Sequence, residues 1–149
     1  MSYVYDQLGR LVEITNGDDR MALSYDDRGN LLERRNRDGM TRYSYSPQGD
    51  LLTMLMADGK SLRFEVDADG QITSVMDDQN RQTRFKYYKD GKLSQTRFAD
   101  GSSRVYHYDR LGLRRLREFD DGANVEYKYS AAGSLTEIEV KNADGTIDG

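Results

Sequence analysis

With 149 residues, 32% of them charged, and a net charge of −4, the chain has the length of one domain and lacks the basic footprint of a general nucleic-acid binder. It has no Cys, which excludes disulfides, and no apolar run long enough to cross a bilayer as a helix; Met1 to Asp6 carry no charged-then-apolar leader pattern. Aromatic residues reach 10%, mostly Tyr, which is unlike a disordered chain and points to a thin, solvated β-structure packed by a few large rings.

The first element in chain order is a strand through Tyr3 and Tyr5 that ends in the turn Asp6-Gln7-Leu8-Gly9 and returns through Leu11. The same pattern then recurs. Turn glycines fall at Gly9, Gly29, Gly49, Gly70, Gly91, Gly112 and Gly133, at intervals of 20, 20, 21, 21, 21 and 21 residues. Four positions before each glycine stand Tyr5, Tyr25, Tyr45, Val66, Tyr87, Tyr108 and Tyr129; six before stand Tyr3, Leu23, Tyr43, Phe64, Phe85, Tyr106 and Tyr127. Asp6, Asp26, Ser46, Asp67, Asp109 and Ser130 open the turns, and a short polar opener with a closing Gly is the type I pattern.

Two positions after the glycines come Leu11, Leu31, Leu51, Ile72, Leu93, Arg114 and Leu135. Arg114 breaks the column, and a local slip that puts Leu113 or Leu116 in its place is expected. A second turn lies about ten residues on, at Asp38-Gly39, Asp58-Gly59, Gln79-Asn80, Asp100-Gly101 and Asp121-Gly122, with Asn16-Gly17 and Asp144-Gly145 displaced at the ends. Two turns per repeat predict about fourteen short strands over residues 1–149. The expected fold class is all-β: tandem antiparallel β-hairpin repeats forming a curved, solenoid-like single sheet.

The two aromatic columns are two residues apart and so share one face, while the residues between them are mostly polar. Tyr5 is expected to pair near Leu11. Leu11 and Ile14 differ in parity, as do Ile72 and Val75, so the returning strand must contain a bulge whose place the pattern does not give.

Tyr5-Asp6-Gln7-Leu8-Gly9-Arg10-Leu11 and Tyr25-Asp26-Asp27-Arg28-Gly29-Asn30-Leu31 resemble the YD repeat of the Rhs family, and Tyr108-Asp109-Arg110-Leu111-Gly112 does so in part. That family includes Rhs polymorphic toxins, shell components of Tc toxins, and teneurins. The resemblance implies a strip of hairpins that belongs to a hollow shell, often around a toxin or enzyme payload, and a secreted or cell-surface toxin-related role. The self-cleaving Asp-Pro motif common in bacterial members is absent, since the only proline, Pro47, follows Ser46. A closed shell needs more than seven repeats, so the sequence reads as a small array or a piece of a larger one.

No residue set proposes catalysis, a cofactor or a metal. His107 is the only histidine, lies between Tyr106 and Tyr108 on the polar face, and has no Cys partner; a solvated surface role is expected. Asp77, Asp78 and Asn80, or Asp67 and Asp69, lack the EF-hand spacing and read as turn residues. Arg34, Arg35 and Arg37, and Arg110, Arg114, Arg115 and Arg117, form basic runs that alternation should split between faces. The expected function is a non-catalytic structural β-repeat segment of an encapsulating shell, the chain not being an enzyme. The alternative is a carbohydrate- or protein-binding module using the tyrosine-rich face. The ring face and the open end strands predict self-association or contact with neighbouring repeats, with a toxin payload or carbohydrate as further partners and no nucleic acid or membrane span.

Overall fold

A computed structural model of the protein describes residues 1–148. Fifteen strands and no helix are found among the described residues. They gather into two compact units, Met1–Arg81 and Gln82–Gly149. The first contains β1 (Ser2–Tyr5), β2 (Leu11–Asn16), β3 (Asp19–Tyr25), β4 (Leu31–Asn36), β5 (Gly39–Tyr45), β6 (Leu51–Leu55), β7 (Ser61–Val66) and β8 (Ile72–Asp77). The second contains β9 (Gln82–Tyr87), β10 (Leu93–Arg97), β11 (Ser103–Tyr108), β12 (Arg114–Phe119), β13 (Asn124–Tyr129), β14 (Leu135–Lys141) and the short β15 (Ile147–Asp148). Within each unit every strand pairs antiparallel with the next in sequence and touches no other, the tandem-hairpin architecture the repeats predict.

The turns follow from two needs, a reversal of direction and a partner for each buried backbone group. In the Asp6 turn the Gly9 N–H donates to the Asp6 carbonyl and the Asp6 N–H to the Arg10 carbonyl, and the same pair of bonds closes the turns that start at Asp26, Ser46, Met56, Asp67, Asp77, Tyr88, Phe98, Asp109, Phe119, Ser130 and Asn142. The residue before the last must take the left-handed conformation, and the column glycines do so with φ between 77° at Gly9 and 96° at Gly49. In the Asp77 turn Asn80 holds that place at φ 58°, the side chain besides Gly that tolerates it.

The aspartates finish the turns in one of two ways. Where Asp opens the turn, one carboxylate oxygen accepts the N–H groups two and four residues on, as Asp6 does from Leu8 and Arg10, and Asp26, Asp67, Asp77 and Asp109 do likewise. Where Met56, Tyr88, Phe98, Phe119 or Asn142 opens the turn, the Asp just before the glycine takes over. Asp58, Asp90, Asp100, Asp121 and Asp144 each accept the N–H two residues on.

The difference between 20- and 21-residue repeats is a difference in loop length. Asn16 pairs with Asp19 and Asn36 with Gly39, leaving two-residue loops, whereas the later second turns have three residues between the paired ends. Gly39 is therefore not a turn residue, contrary to the Asp38-Gly39 reading. It opens β5 at φ 125°, where a Cβ would collide with that of Ala57. Arg37 and Asp38 make that loop.

The core is thin. Among the described residues Tyr106 and Val125, 7% and 6% exposed, are the buried apolar side chains, and none is fully enclosed. Most rings are half-buried rather than uncovered, because each has a hairpin neighbour on both sides. Exposure is high at Tyr3 (49%) and Tyr5 (59%) of β1, which has one neighbour, and at Leu135 (50%) and Ile138 (54%) of β14, whose second neighbour β15 pairs only with Val140 and Lys141.

Two outcomes are expected. Gly49→Val forces a β-branched residue to positive φ and should cost about 1–2 kcal/mol, read as a lower urea midpoint; an unchanged midpoint would remove the turn argument. The second concerns acid. Hydrogen bonds from Arg10 to Asp6, Asn30 to Asp26 and Arg81 to Asp77 hold these carboxyls below the usual carboxylate range, and Lys60, Lys92, Ser102 and Thr146 do the same for Asp58, Asp90, Asp100 and Asp144. A lowered folded-state pKa gives stability that is present above the unfolded value, about 4, and is lost as pH falls through the folded value. Melting temperature should hold from neutral pH down to about 5 and drop below about 4, and Asp26→Asn should drop less. A melting curve level down to about pH 2.5 would show that these carboxylates stabilise nothing.

Candidate functional site

The ring face is built pair by pair. Tyr5, Tyr25, Tyr45, Val66, Tyr87, Tyr108 and Tyr129 stand opposite Leu11, Leu31, Leu51, Ile72, Leu93, Arg114 and Leu135. Tyr3, Leu23, Tyr43, Phe64, Phe85, Tyr106 and Tyr127 stand opposite Ile14, Arg34, Met54, Val75, Thr96, Arg117 and Ile138. Between the two pairs the returning strand carries one unmatched residue, at Val12, Leu32, Leu52, Thr73, Ser94, Arg115 and Thr136 in turn. This is the expected bulge, and it brings residues of opposite parity onto one face.

The tyrosines also do something that their spacing does not reveal. The β2–β3 ladder ends at Glu13↔Ala22, which leaves the Leu11 carbonyl beyond it. The Tyr25 hydroxyl donates to that carbonyl at 2.8 Å. The bond recurs from Tyr45 to Leu31 at 2.9 Å, Tyr108 to Leu93 at 3.0 Å and Tyr129 to Arg114 at 2.9 Å. Each ring therefore packs within its own hairpin while its hydroxyl closes the frayed end of the pairing with the hairpin before it. Burial pushes the Tyr45 phenol up, with Tyr43 and Asp26 adding to it.

Arg114 keeps its column. It sits opposite Tyr108 with no slip, and its guanidinium lies 5.0 Å from the centre of the Tyr106 ring, so the cation fills the slot that Leu holds elsewhere. The arginine run is not split by simple alternation either. The bulge at Arg115 reverses parity, which places Arg114 and Arg117 together on the ring face while Arg115 and Arg110 are exposed. Arg104 joins them from β11, 4.8 Å from the Phe98 ring and 5.6 Å from Phe119, and Arg117 lies 4.9 Å from Phe119. In the first unit Arg34 is on the ring face opposite Leu23 and Thr41, Arg35 faces the other way between Ala22 and Met40, and Arg37 is in a loop.

The remaining candidates have local partners. His107 Nε2 lies 2.6 Å from Glu118 Oε2 on the polar face. That face also carries Arg20–Glu13, Arg42–Glu33 and Lys128–Glu137 pairs. Asp67 accepts the Asp69 N–H, and Asp77 binds Arg81 at 2.7 Å in addition to its turn bonds. Among the described residues no three His, Asp or Glu side chains gather in a way that could hold a metal ion. An open recess of about 510 Å³ beside Tyr88, Lys92, His107 and Tyr108 includes an edge-to-face ring pair, with Lys92 Nζ 5.9 Å from the Tyr108 centroid.

Hairpins of this length, each with a glycine turn and a bulge, and four of them with a tyrosine tied to the hairpin before it, define a shell-type β-repeat array. The sequence matches the teneurin YD-shell family over residues 1–87, and the chain belongs to that family. No curated protein sequence matches it. Solved structures share the fold. A TcdB2-TccC3 crystal structure is 16% identical over 98% of this chain, with a TM-score of 0.69. A Tc holotoxin pore from Photorhabdus luminescens is 16% identical over 97%, with a TM-score of 0.61. This chain spans 10% of each of those chains.

The hydroxyl bonds give the third expected outcome. Tyr45→Phe keeps the ring and removes the donor to Leu31, and should cost about 1 kcal/mol. Tyr3→Phe should cost less, about 0.5 kcal/mol or under, because the Tyr3 hydroxyl touches only the Met1 sulfur at the exposed end. Chemical denaturation of the pair decides it; equal losses would deny the hydroxyl its role.

Proposed function

We propose that this chain is a non-catalytic wall segment of a YD-repeat shell, whose contribution is shape, exclusion and attachment to more of the same structure. The observation that carries this reading is the unbroken recurrence of turn, bulge and ring pair through both units, with side chains engaged in holding the repeat. The acidic residues that might have served a reaction are turn acceptors, and His107 is engaged with Glu118. The shell-type fold shared with the Tc toxin structures supports a secreted or toxin-associated setting and an enclosed polypeptide as partner. The sugar-binding alternative has less support, since hydroxyls of Tyr25, Tyr45, Tyr108 and Tyr129 are committed to backbone carbonyls, and cations cover rings at Tyr25, Tyr106 and Tyr108.

Attachment has a physical basis at the end strands. Among the described residues β1 pairs only with β2 and β15 only with β14, and Tyr3, Tyr5, Leu135 and Ile138 are the exposed members of otherwise half-buried columns. The isolated chain is expected to self-associate by adding strands at these ends. Sedimentation velocity at micromolar concentration should show a concentration-dependent species larger than the monomer, reduced by Tyr3→Lys with Ile138→Lys. A clean monomer at every concentration overturns the attachment reading, and a hydrolytic activity lost in His107→Ala overturns the non-catalytic one.

A further inference from the structure

The ring face of the second unit differs from a plain apolar ladder. Arg104, Arg114 and Arg117 lie among Phe98, Tyr106 and Phe119 within two adjacent strands and the turn before them. All three are half-buried, and none is paired with a carboxylate among the described residues. The Nε groups of Arg114 and Arg117 are buried without a hydrogen-bond partner. The strand glutamates of this unit, Glu118, Glu126, Glu137 and Glu139, face the other way, where His107, Lys128 and Lys141 engage them.

Stability alone does not account for this arrangement. The slot of Arg114 holds Leu11, Leu31, Leu51, Ile72, Leu93 and Leu135 in the other repeats, so the fold is made with an aliphatic residue there. Desolvating a guanidinium and leaving a donor unpaired opposes folding, and ring stacking offsets it only in part. The stack does fix the guanidinium plane, which leaves its edge donors in the fork that matches a carboxylate. The surrounding low-polarity rings strengthen such a pair once formed.

We propose that this arginine-ring patch on β11 and β12 docks an acidic polypeptide segment whose glutamate or aspartate carboxylates pair with Arg104, Arg114 and Arg117 while its apolar side chains cover the half-buried Phe119 and Tyr127. The site goes beyond the shell reading and stands without it. Charge complementarity names the occupant: three cations on a face whose own carboxylates all point away. A neutral sugar is disfavoured because guanidinium groups occupy faces of the Tyr106, Phe98 and Phe119 rings that stacking would need.

The probe is a fluorescein-labelled peptide of mixed Glu and Leu, titrated with the full chain by anisotropy, with a Lys and Leu peptide and a sulfated oligosaccharide as comparisons. Binding of the acidic peptide alone is expected, weakened as NaCl rises from about 50 to about 500 mM. Arg104→Gln/Arg114→Gln/Arg117→Gln should lose about tenfold or more in affinity, and Arg84→Gln, on the opposite face, should stay within about twofold. The corresponding triple Lys variant keeps charge without the planar fork and should fall between them. Circular dichroism and melting temperature check folding, and Arg117→Gln alone replaces the triple variant if that one unfolds. Equal affinity in the folded Gln variant, or binding of the sulfated oligosaccharide without the acidic peptide, overturns the proposal. Loss of self-association in the Gln variant with no peptide binding overturns it too, and makes a second copy of the chain the occupant.

Discussion

Side chains alternate between faces along a strand, so one inserted residue reverses the assignment of everything beyond it. In this chain an insertion follows every tyrosine-aspartate type turn, from Val12 in the first hairpin to Thr136 in the last. It lets Leu11 and Ile14 meet Tyr5 and Tyr3 on one face, although three residues separate them. Without the bulge, either the near pair or the far pair would face the polar side, and the column of rings would have no apolar partners across the hairpin. The same shift turns an arginine run that reads as evenly divided into two guanidinium groups on the ring face, Arg114 and Arg117.

The bulge in turn leaves a problem that the tyrosines solve. Pairing between one hairpin and the next stops short of the bulge, at Glu13↔Ala22, Glu33↔Arg42 and Leu116↔Glu126. A carbonyl beyond that point needs a donor. Phenylalanine would pack the ring equally well and leave the carbonyl to solvent, whereas tyrosine covers the site and binds it. This gives a physical reason for Tyr in the column nearest the turn, while the column two residues earlier accepts Leu23, Phe64 and Phe85. Val66 is the one member of the near column that supplies no hydroxyl.

Most turns, the hairpin pairing and the shared ring face were legible in the residues because each rests on a local rule: glycine at positive φ, aspartate capping backbone donors, alternation within a strand; Asp38-Gly39 misled because Gly39 has positive φ inside β5 rather than in the loop. What was hidden depends on counting across strands. The tyrosine hydroxyl bond joins residues fourteen or fifteen apart, as between Tyr25 and Leu11 or Tyr108 and Leu93, and nothing in the spacing names the acceptor. The place of the bulge could have been found by requiring Leu11 and Ile14 to share a face, which leaves only Val12 or Glu13 as the extra residue. Applied to the sixth repeat, the same rule would have put Arg114 and Arg117 together. The shorter first repeats carried a signal as well: an interval of 20 rather than 21 is the missing residue of a tighter loop.

A sheet with no covering layer must find its burial sideways. Tyr106 and Tyr3 occupy equivalent columns, yet one is 7% exposed and the other 49%. Tyr106 has a hairpin on both sides and the Arg114 guanidinium over its ring, whereas Tyr3 has a neighbour on one side. Burial here is a property of repetition, and stability accrues as a sum of nearest-neighbour contacts. The arginines fit the same logic. A long side chain lying over Tyr106 or Phe119 covers ring area that no opposing layer covers, and each arginine remains half-buried rather than enclosed. A cation in a Leu slot is therefore tolerable in a one-layer wall where it would be excluded from a closed core, and that tolerance leaves room for the ring face to carry recognition chemistry without altering the frame that supports it.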